Sequence, residues 1–213
     1  MGVNMAGNCI CDDEACRDAS NQEIIRRYYA ALKGLAEGTS EEEEAFKIEL
    51  LMKQAHITLD DRKVVGAALQ KAELTNGPAA ALELPDGQII TGKTTPLLGA
   101  SSALLLNALK ALAGLDDDLH LISPSVIEPI QKLKIGFLGS KNPRLHTDEV
   151  LIALSICAAT DPNAKLALEQ IPKLNGCQAH TSVMLSSVDI KQFKRLNVQL
   201  TSEAKYENKR IYH

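Results

Sequence analysis

Ala79-Ala80-Ala81-Leu82-Glu83-Leu84-Pro85-Asp86-Gly87-Gln88-Ile89-Ile90-Thr91-Gly92-Lys93-Thr94 can be read in two ways, and the choice decides the fold. Its second half, from Gly87 to Gly92-Lys93-Thr94, has the spacing of a phosphate-binding loop set between an apolar run and a helix. Such a loop wraps phosphate with consecutive backbone N–H groups and favours small residues in its middle. Gln88-Ile89-Ile90 instead has the composition of a strand. Pro85-Asp86-Gly87 is a turn signal, so residues 79–84 and 88–91 read as the arms of a hairpin. Nor does an apolar strand ending in Asp follow at an obvious place to hold magnesium. The hairpin reading is preferred. What survives of the anion reading is Lys93 and Thr94, with Thr95, just before a helix start where exposed N–H groups gather.

Downstream of the hairpin, residues 97–113 are apolar almost all round, as expected of a helix covered by a sheet on one side and by other elements on the other. Residues 119–122 read as a buried strand. Ser123-Pro124 opens a helix to about residue 133, with an irregularity at Pro129. Thr147-Asp148-Glu149 opens the next, with Val150, Leu151, Leu154 and Ala158 inward, and Asp161-Pro162 starts another that runs to about residue 174. Residues 178–185 read as a strand, Ser186-Ser187 as the cap of a short helix with Ile190 and Phe193, and residues 198–201 as a closing strand. Residues 206–212 give a last extended piece. Strands spaced by helices define an α/β layer architecture.

Upstream lie three helices with short joints. The first spans about residues 12–36, with Ile24, Tyr28, Leu32 and Leu35 on one face and Gly38 as its stop. Ser40 and Glu43 have capping-box spacing for the second, which is expected to bury Phe46, Leu50 or Leu51, and Met52. The third starts near residues 58–60 and carries Val64, Val65, Ala68, Leu69 and Ala72 up to Asn76-Gly77. Residues 1–76 are therefore expected to form a helical module and residues 77–213 an α/β subdomain.

Composition narrows the partners. The chain holds 23 Lys and Arg against 27 Asp and Glu, with no basic run longer than a pair, which argues against nucleic acid or an anionic membrane as the main partner. Aromatic residues make up 3%, so stacking platforms for bases are scarce. The apolar stretch from residue 97 to 115 is interrupted by Ser101, Ser102, Asn107 and Lys110, and reads as a buried helix rather than a membrane span. The start Met1-Gly2-Val3-Asn4-Met5-Ala6-Gly7 has no positive, apolar leader, and Ala6 does not suit myristoylation of Gly2. A cytoplasmic chain is expected, with its five cysteines as reduced thiols.

The densest polar stretch is Ser140-Lys141-Asn142-Pro143-Arg144-Leu145-His146, which sets two cations, an imidazole, a hydroxyl and an amide before the Thr147 helix. Lys141, Asn142, Arg144 and His146 are the leading candidates for binding phosphate or carboxylate, with Lys93 and Thr94 as secondary contacts. Asp148 and Glu149 oppose an anion placed too close to that helix end. The alternative is a structured connection in which Arg144 pairs with a carboxylate and His146 caps a carbonyl. Cys9, Cys11 and Cys16, with Asp12 and Asp13 between, lack the spacing of a zinc site and have no histidine nearby. Cys157 reads as core, Cys177 as a turn thiol, and His180 as a satisfied interior or interface histidine.

Met1 to Gly7, QEIIRRYY at residues 22–29, LPDGQIITGKT at 84–94 and GSKNPRLHTDEVLIA at 139–153 resemble uncharacterised protein family 0371, the domain of unknown function 1846 group. The resemblance implies a chain that corresponds to the C-terminal half of a longer protein, whose N-terminal half carries a Gly-rich, phosphate-loop-like segment. It also implies a three-layer α/β/α domain with cytidine-deaminase-like topology, preceded by a helical module. A deaminase zinc site needs a Pro-Cys-x-x-Cys pair, and this sequence has no Cys-x-x-Cys, so deaminase chemistry is not expected. Two roles stay open: an anion or nucleotide-type ligand site completed with the N-terminal half, and a structural module that self-associates without a ligand of its own. No cofactor and no reaction is named by these residues.

Overall fold

The computed structural model describes residues 12–207. The chain divides into two compact units, one ending at Lys63 and the other beginning at Val64.

In the first unit, helix α1 (Asp13–Glu37) starts on the Asp12 carboxylate, which accepts from the Ala15 N–H at 2.9 Å. It stops at Gly38, whose φ of 72° is the left-handed cap conformation that glycine adopts without a Cβ penalty. Its inward face is Gln22, Ile25 and Tyr29, one position on from the Ile24, Tyr28, Leu32 face that the sequence suggests. A polar pair fixes that rotation. The Gln22 amide donates to the Asp61 carbonyl at 2.7 Å and accepts from the buried Arg62 guanidinium at 3.1 Å. Helix α2 (Glu42–Ala55) has Glu41 at its N-cap without a side-chain bond, so the expected Ser40–Glu43 box does not form. Ser40 is instead turned back against Gly34, donating its N–H to the Gly34 carbonyl. Glu43–Lys47 and Glu49–Lys53 pairs line its outer surface. Ala45 and Met52 are its buried residues, while Phe46 is 56% exposed and Leu50 and Leu51 are also exposed, contrary to expectation. A single 3-10 turn (Leu59–Asp61) follows, in which the Thr58 N–H donates to the Asp61 carboxylate at 2.6 Å.

The second unit takes up all of α3 (Lys63–Thr75) but its first residue, then β1 (Ala79–Glu83) and β2 (Ile89–Lys93), which pair antiparallel with Leu82 opposite Ile90. The hairpin reading is the observed one. Gly87 (φ 85°) takes the turn, and the Asp86 carboxylate accepts from the Gln88 N–H at 3.0 Å. Helices α4 (Ala100–Leu112), α5 (Pro124–Gly136), α6 (Thr147–Cys157) and α7 (Pro162–Leu168) come next, then β3 (Gln178–Thr181), α8 (Ser187–Arg195) and β4 (Gln199–Ser202). The sheet order is β2-β1-β3-β4, with β1 antiparallel to both neighbours and β3 parallel to β4. Residues 119–122 are not a strand: Leu121 and Ile122 are buried in the core from irregular chain. β3 ends at Thr181 rather than continuing to residue 185: Ser182 makes a last contact with β1, its N–H donating to the Ala79 carbonyl at 2.9 Å, and Met184 then bonds outside the strands, N–H to the Lys205 carbonyl at 2.8 Å.

Side chains alternate across a strand, so β1 feeds two cores. Ala80 and Leu82 join Leu104, Leu105 and Leu109 of α4, Leu154 of α6 and Phe193 of α8. Ala81 turns the other way, against Val64 and Ala68 of α3. Helices thus cover both faces of a mixed sheet, an α/β architecture. Three polar residues of α4 are spent on carbonyls outside it: Ser102 donates to Leu145 at 2.8 Å, Asn107 to Thr91 at 2.9 Å, and Lys110 to Asp117. Among the described residues no helix is long and apolar enough to cross a membrane.

Candidate functional site

The loop before α6 is held by its own polar groups. The Ser140 N–H donates to the Lys134 carbonyl at 3.0 Å, and the Asn142 side chain accepts from the Arg144 N–H at 3.1 Å. Arg144 Nη1 lies 2.6 Å from Glu207 Oε1. Beneath it, Lys134 is 6% exposed and bridges Glu149 Oε2 and the Arg144 carbonyl, both at 2.7 Å. Leu145 pairs with the segment before α4, donating to the Leu97 carbonyl at 3.0 Å. Lys141 is exposed at the tip. Arg144→Ala is expected to change stability by less than about 1 kcal/mol, because its ion pair is partly exposed on both sides. Chemical denaturation of the variant checks this.

His146 sits at the N-cap of α6, and its N–H donates to Glu149 Oε2 at 2.7 Å. Its Nδ1 donates to Asp189 Oδ2 at 3.0 Å, and the Ser186 hydroxyl donates to the same oxygen at 2.8 Å. Asp189 Oδ1 accepts from both the N–H and the hydroxyl of Thr147, each at 2.9 Å. Burial pushes the Asp189 carboxyl up, but the donors from His146, Thr147 and Ser186 outweigh it and hold the group below its ordinary value. Asp189 therefore stays ionised and ties the start of α8 to the start of α6. An ordinary N-cap pattern, Ser186-x-x-Asp189, was the sequence signal for this residue; its contact with His146, 43 residues earlier, had none.

The remaining sequence candidates fall elsewhere. Thr94 gives its N–H to the Pro78 carbonyl at 2.9 Å, and Thr95 forms a turn, its hydroxyl accepting from the N–H groups of Leu97 and Leu98. Cys9 and Cys11 lie outside the described residues, and among the described residues no His, Cys, Asp and Glu cluster could hold a metal ion. Burial pushes the Cys177 thiol up, helped by the Glu83 carboxylate, so it is a poor nucleophile. His180 is fully buried between Thr201, at 2.8 Å from Nδ1, and Glu203, at 3.4 Å from Nε2.

A pocket of about 500 Å³ opens beside α4, a size within the range of small-molecule sites. Ala103, Leu106, Asn107 and Lys110, at helical spacing, form one wall; Leu121 and Ile122 stand among the residues facing them, and Lys93 and His120 are exposed polar lining groups. None of residues 140–146 lines it. Lys110 is the residue that sequence reasoning passed over, although a lone cation in an otherwise apolar helix was its signal. It is 7% exposed, and its ammonium donates to the Asp117 carbonyl. Among the described residues no carboxylate oxygen comes within 4.0 Å of it. Lys134, equally buried, has Glu149.

Residues 1–56 match the N-terminal domain of unknown function DUF1846, and residues 60–212 match its C-terminal domain. The change between the two falls close to the division at Lys63. The matches run over both domains, so the chain is not a C-terminal domain alone. It is similar to the UPF0371 proteins of Corynebacterium urealyticum, 55% identical over 212 residues, and Corynebacterium aurimucosum, 57% over 209. A Streptococcus thermophilus UPF0371 protein is 49% identical over 212 residues. These alignments cover 98–100% of the chain but 42–43% of the relatives, so the chain spans about two fifths of their length.

Proposed function

The chain belongs to the DUF1846 family, and from that premise we propose that its α/β unit binds a small anionic ligand in the pocket beside α4. The observation that carries this is the Lys110 ammonium, buried in the wall of that pocket with a neutral carbonyl as its partner. Burying a charge costs several kcal/mol unless an opposite charge compensates it, and a bound anion would supply the compensation. Lys93, exposed on the same lining, adds a second cation. The loop of Lys141, Asn142, Arg144 and His146 then acts as the frame that fixes Leu145 against the segment before α4, rather than as the ligand's first contact. Helices over both faces of a mixed sheet support a cytidine-deaminase-like topology at the level of layers, without its zinc chemistry.

A thermal-shift panel of carboxylates, phosphates and nucleotides tests the proposal. Lys110→Met is expected to reduce every ligand-induced shift while leaving the unliganded melting point unchanged or higher, since an apolar isostere removes an unpaired buried charge. Shifts of wild-type size in that variant would place the site elsewhere. A second reading, self-association, is favoured by Phe137 and Leu138 at the end of α5, 84% and 72% exposed, and by the exposed Ile152 and Ile156 on α6. Light scattering that gives a monomer mass sets it aside.

A further inference from the structure

We infer that the ligand of the α4 pocket is an amphipathic monocarboxylate, an apolar chain or branched body ending in one carboxylate seated on Lys110; this rests on the reading of that pocket as an anion site. The walls set the body. Leu97, Leu106, Leu119, Leu121, Ile122 and Ile127 give an aliphatic surface, and no described Phe, Tyr or Trp lines the pocket, so a nucleotide base finds only the exposed His120 imidazole at its rim to stack on. The charges set the head. An ammonium has three donors, and Lys110 spends one on the Asp117 carbonyl, which leaves two for the oxygens of a carboxylate. Phosphate asks for more. It is held by runs of free backbone N–H groups, and those of the turn on the pocket lining are used: Thr95 donates to the Leu98 carbonyl, and Leu97 and Leu98 donate to the Thr95 hydroxyl.

Electrostatics agree. Asp117 lines the same pocket, and the exposed Asp116 and Asp118 flank it in sequence. Their repulsion counts twice against a dianionic phosphate and more against a triphosphate, while a monoanion meets it once. Lys93 offsets part of this, and it is exposed, so water and salt screen it more than they screen Lys110.

Isothermal titration of the full chain with octanoate, decanoate, decanol, decyl phosphate and ATP tests the assignment. Decanoate is expected to bind one to one, at least about tenfold more tightly than decanol or ATP, and Lys110→Met is expected to weaken it by about tenfold or more. Ala103→Phe, which fills the pocket and leaves the ammonium in place, is expected to remove decanoate binding, and it stands in should Lys110→Met fail to fold. Tighter binding of decyl phosphate or ATP, still dependent on Lys110, overturns the monocarboxylate assignment and leaves the anion site standing. Equal decanoate binding by wild type and Lys110→Met, or by wild type and Ala103→Phe, overturns both. So does the absence of binding by any of the anions.

Discussion

Gly92→Ala is expected to lower stability by about 3 kcal/mol or more, read as a fall in the urea midpoint with an unchanged slope. A Cβ at Gly92 would lie 2.3 Å from the Leu104 nitrogen, 2.6 Å from the Leu104 Cα and 2.7 Å from the Ala100 carbonyl oxygen. All three are backbone atoms of α4, so no side-chain rotation relieves the clash and the helix must lift from β2. The usual sign of the substitution is the reverse, because alanine restricts the unfolded chain. Gly66, inside α3 with nothing within 4 Å of the added carbon, supplies the control: Gly66→Ala is expected to stabilise by about 1 kcal/mol. A Gly92→Ala midpoint equal to wild type would mean that α4 does not rest on β2 at this separation.

Asp189→Ala is expected to cost about 3 kcal/mol, since it strands the donors of His146, Thr147 and Ser186 at once. The pH dependence has a definite sign. The folded Asp189 carboxyl titrates below its ordinary value, so its stabilisation is complete above the ordinary carboxylate range and is lost as pH falls through the lowered folded value. Thermal melts taken from neutral pH into acid should therefore converge, wild type losing its advantage over the variant as Asp189 protonates. Curves that stay parallel would show that the carboxylate, as opposed to the packing around it, contributes nothing.

How much of this was readable in advance depends on the range of the interaction concerned. The hairpin, the Gly38 stop, the Ser123-Pro124 and Asp161-Pro162 starts and the Ser186 cap are written in neighbouring residues, and each appears where those residues put it. The inward face of α1 was misjudged by one position because Gln22, a polar residue, is drawn in by Arg62, 40 residues later. Phe46 looked like core because apolar character was the cue, yet the buried side of α2 is Ala45 and Met52. The loop at residues 140–146 drew attention for its charge. What that charge could not reveal was that Glu207 pairs with Arg144 and Asp189 with His146, 63 and 43 residues away. Lys110 was visible as an interruption in an apolar helix, but the reading given to it depends on the absence of a nearby carboxylate among the described residues, which only the assembled fold supplies.

The sheet order carries a consequence for synthesis. β1 and β2 are separated by one short turn, whereas the other edge of β1 is closed by β3, with Ala79 bonding to Ser182 across 103 positions. At translation rates of about 5–20 residues per second, the finished hairpin leaves the ribosome about 4–18 s before its second partner is complete. For that interval the alanine-rich strand at the centre of the finished sheet is an unpaired edge, able to recruit any other extended chain nearby.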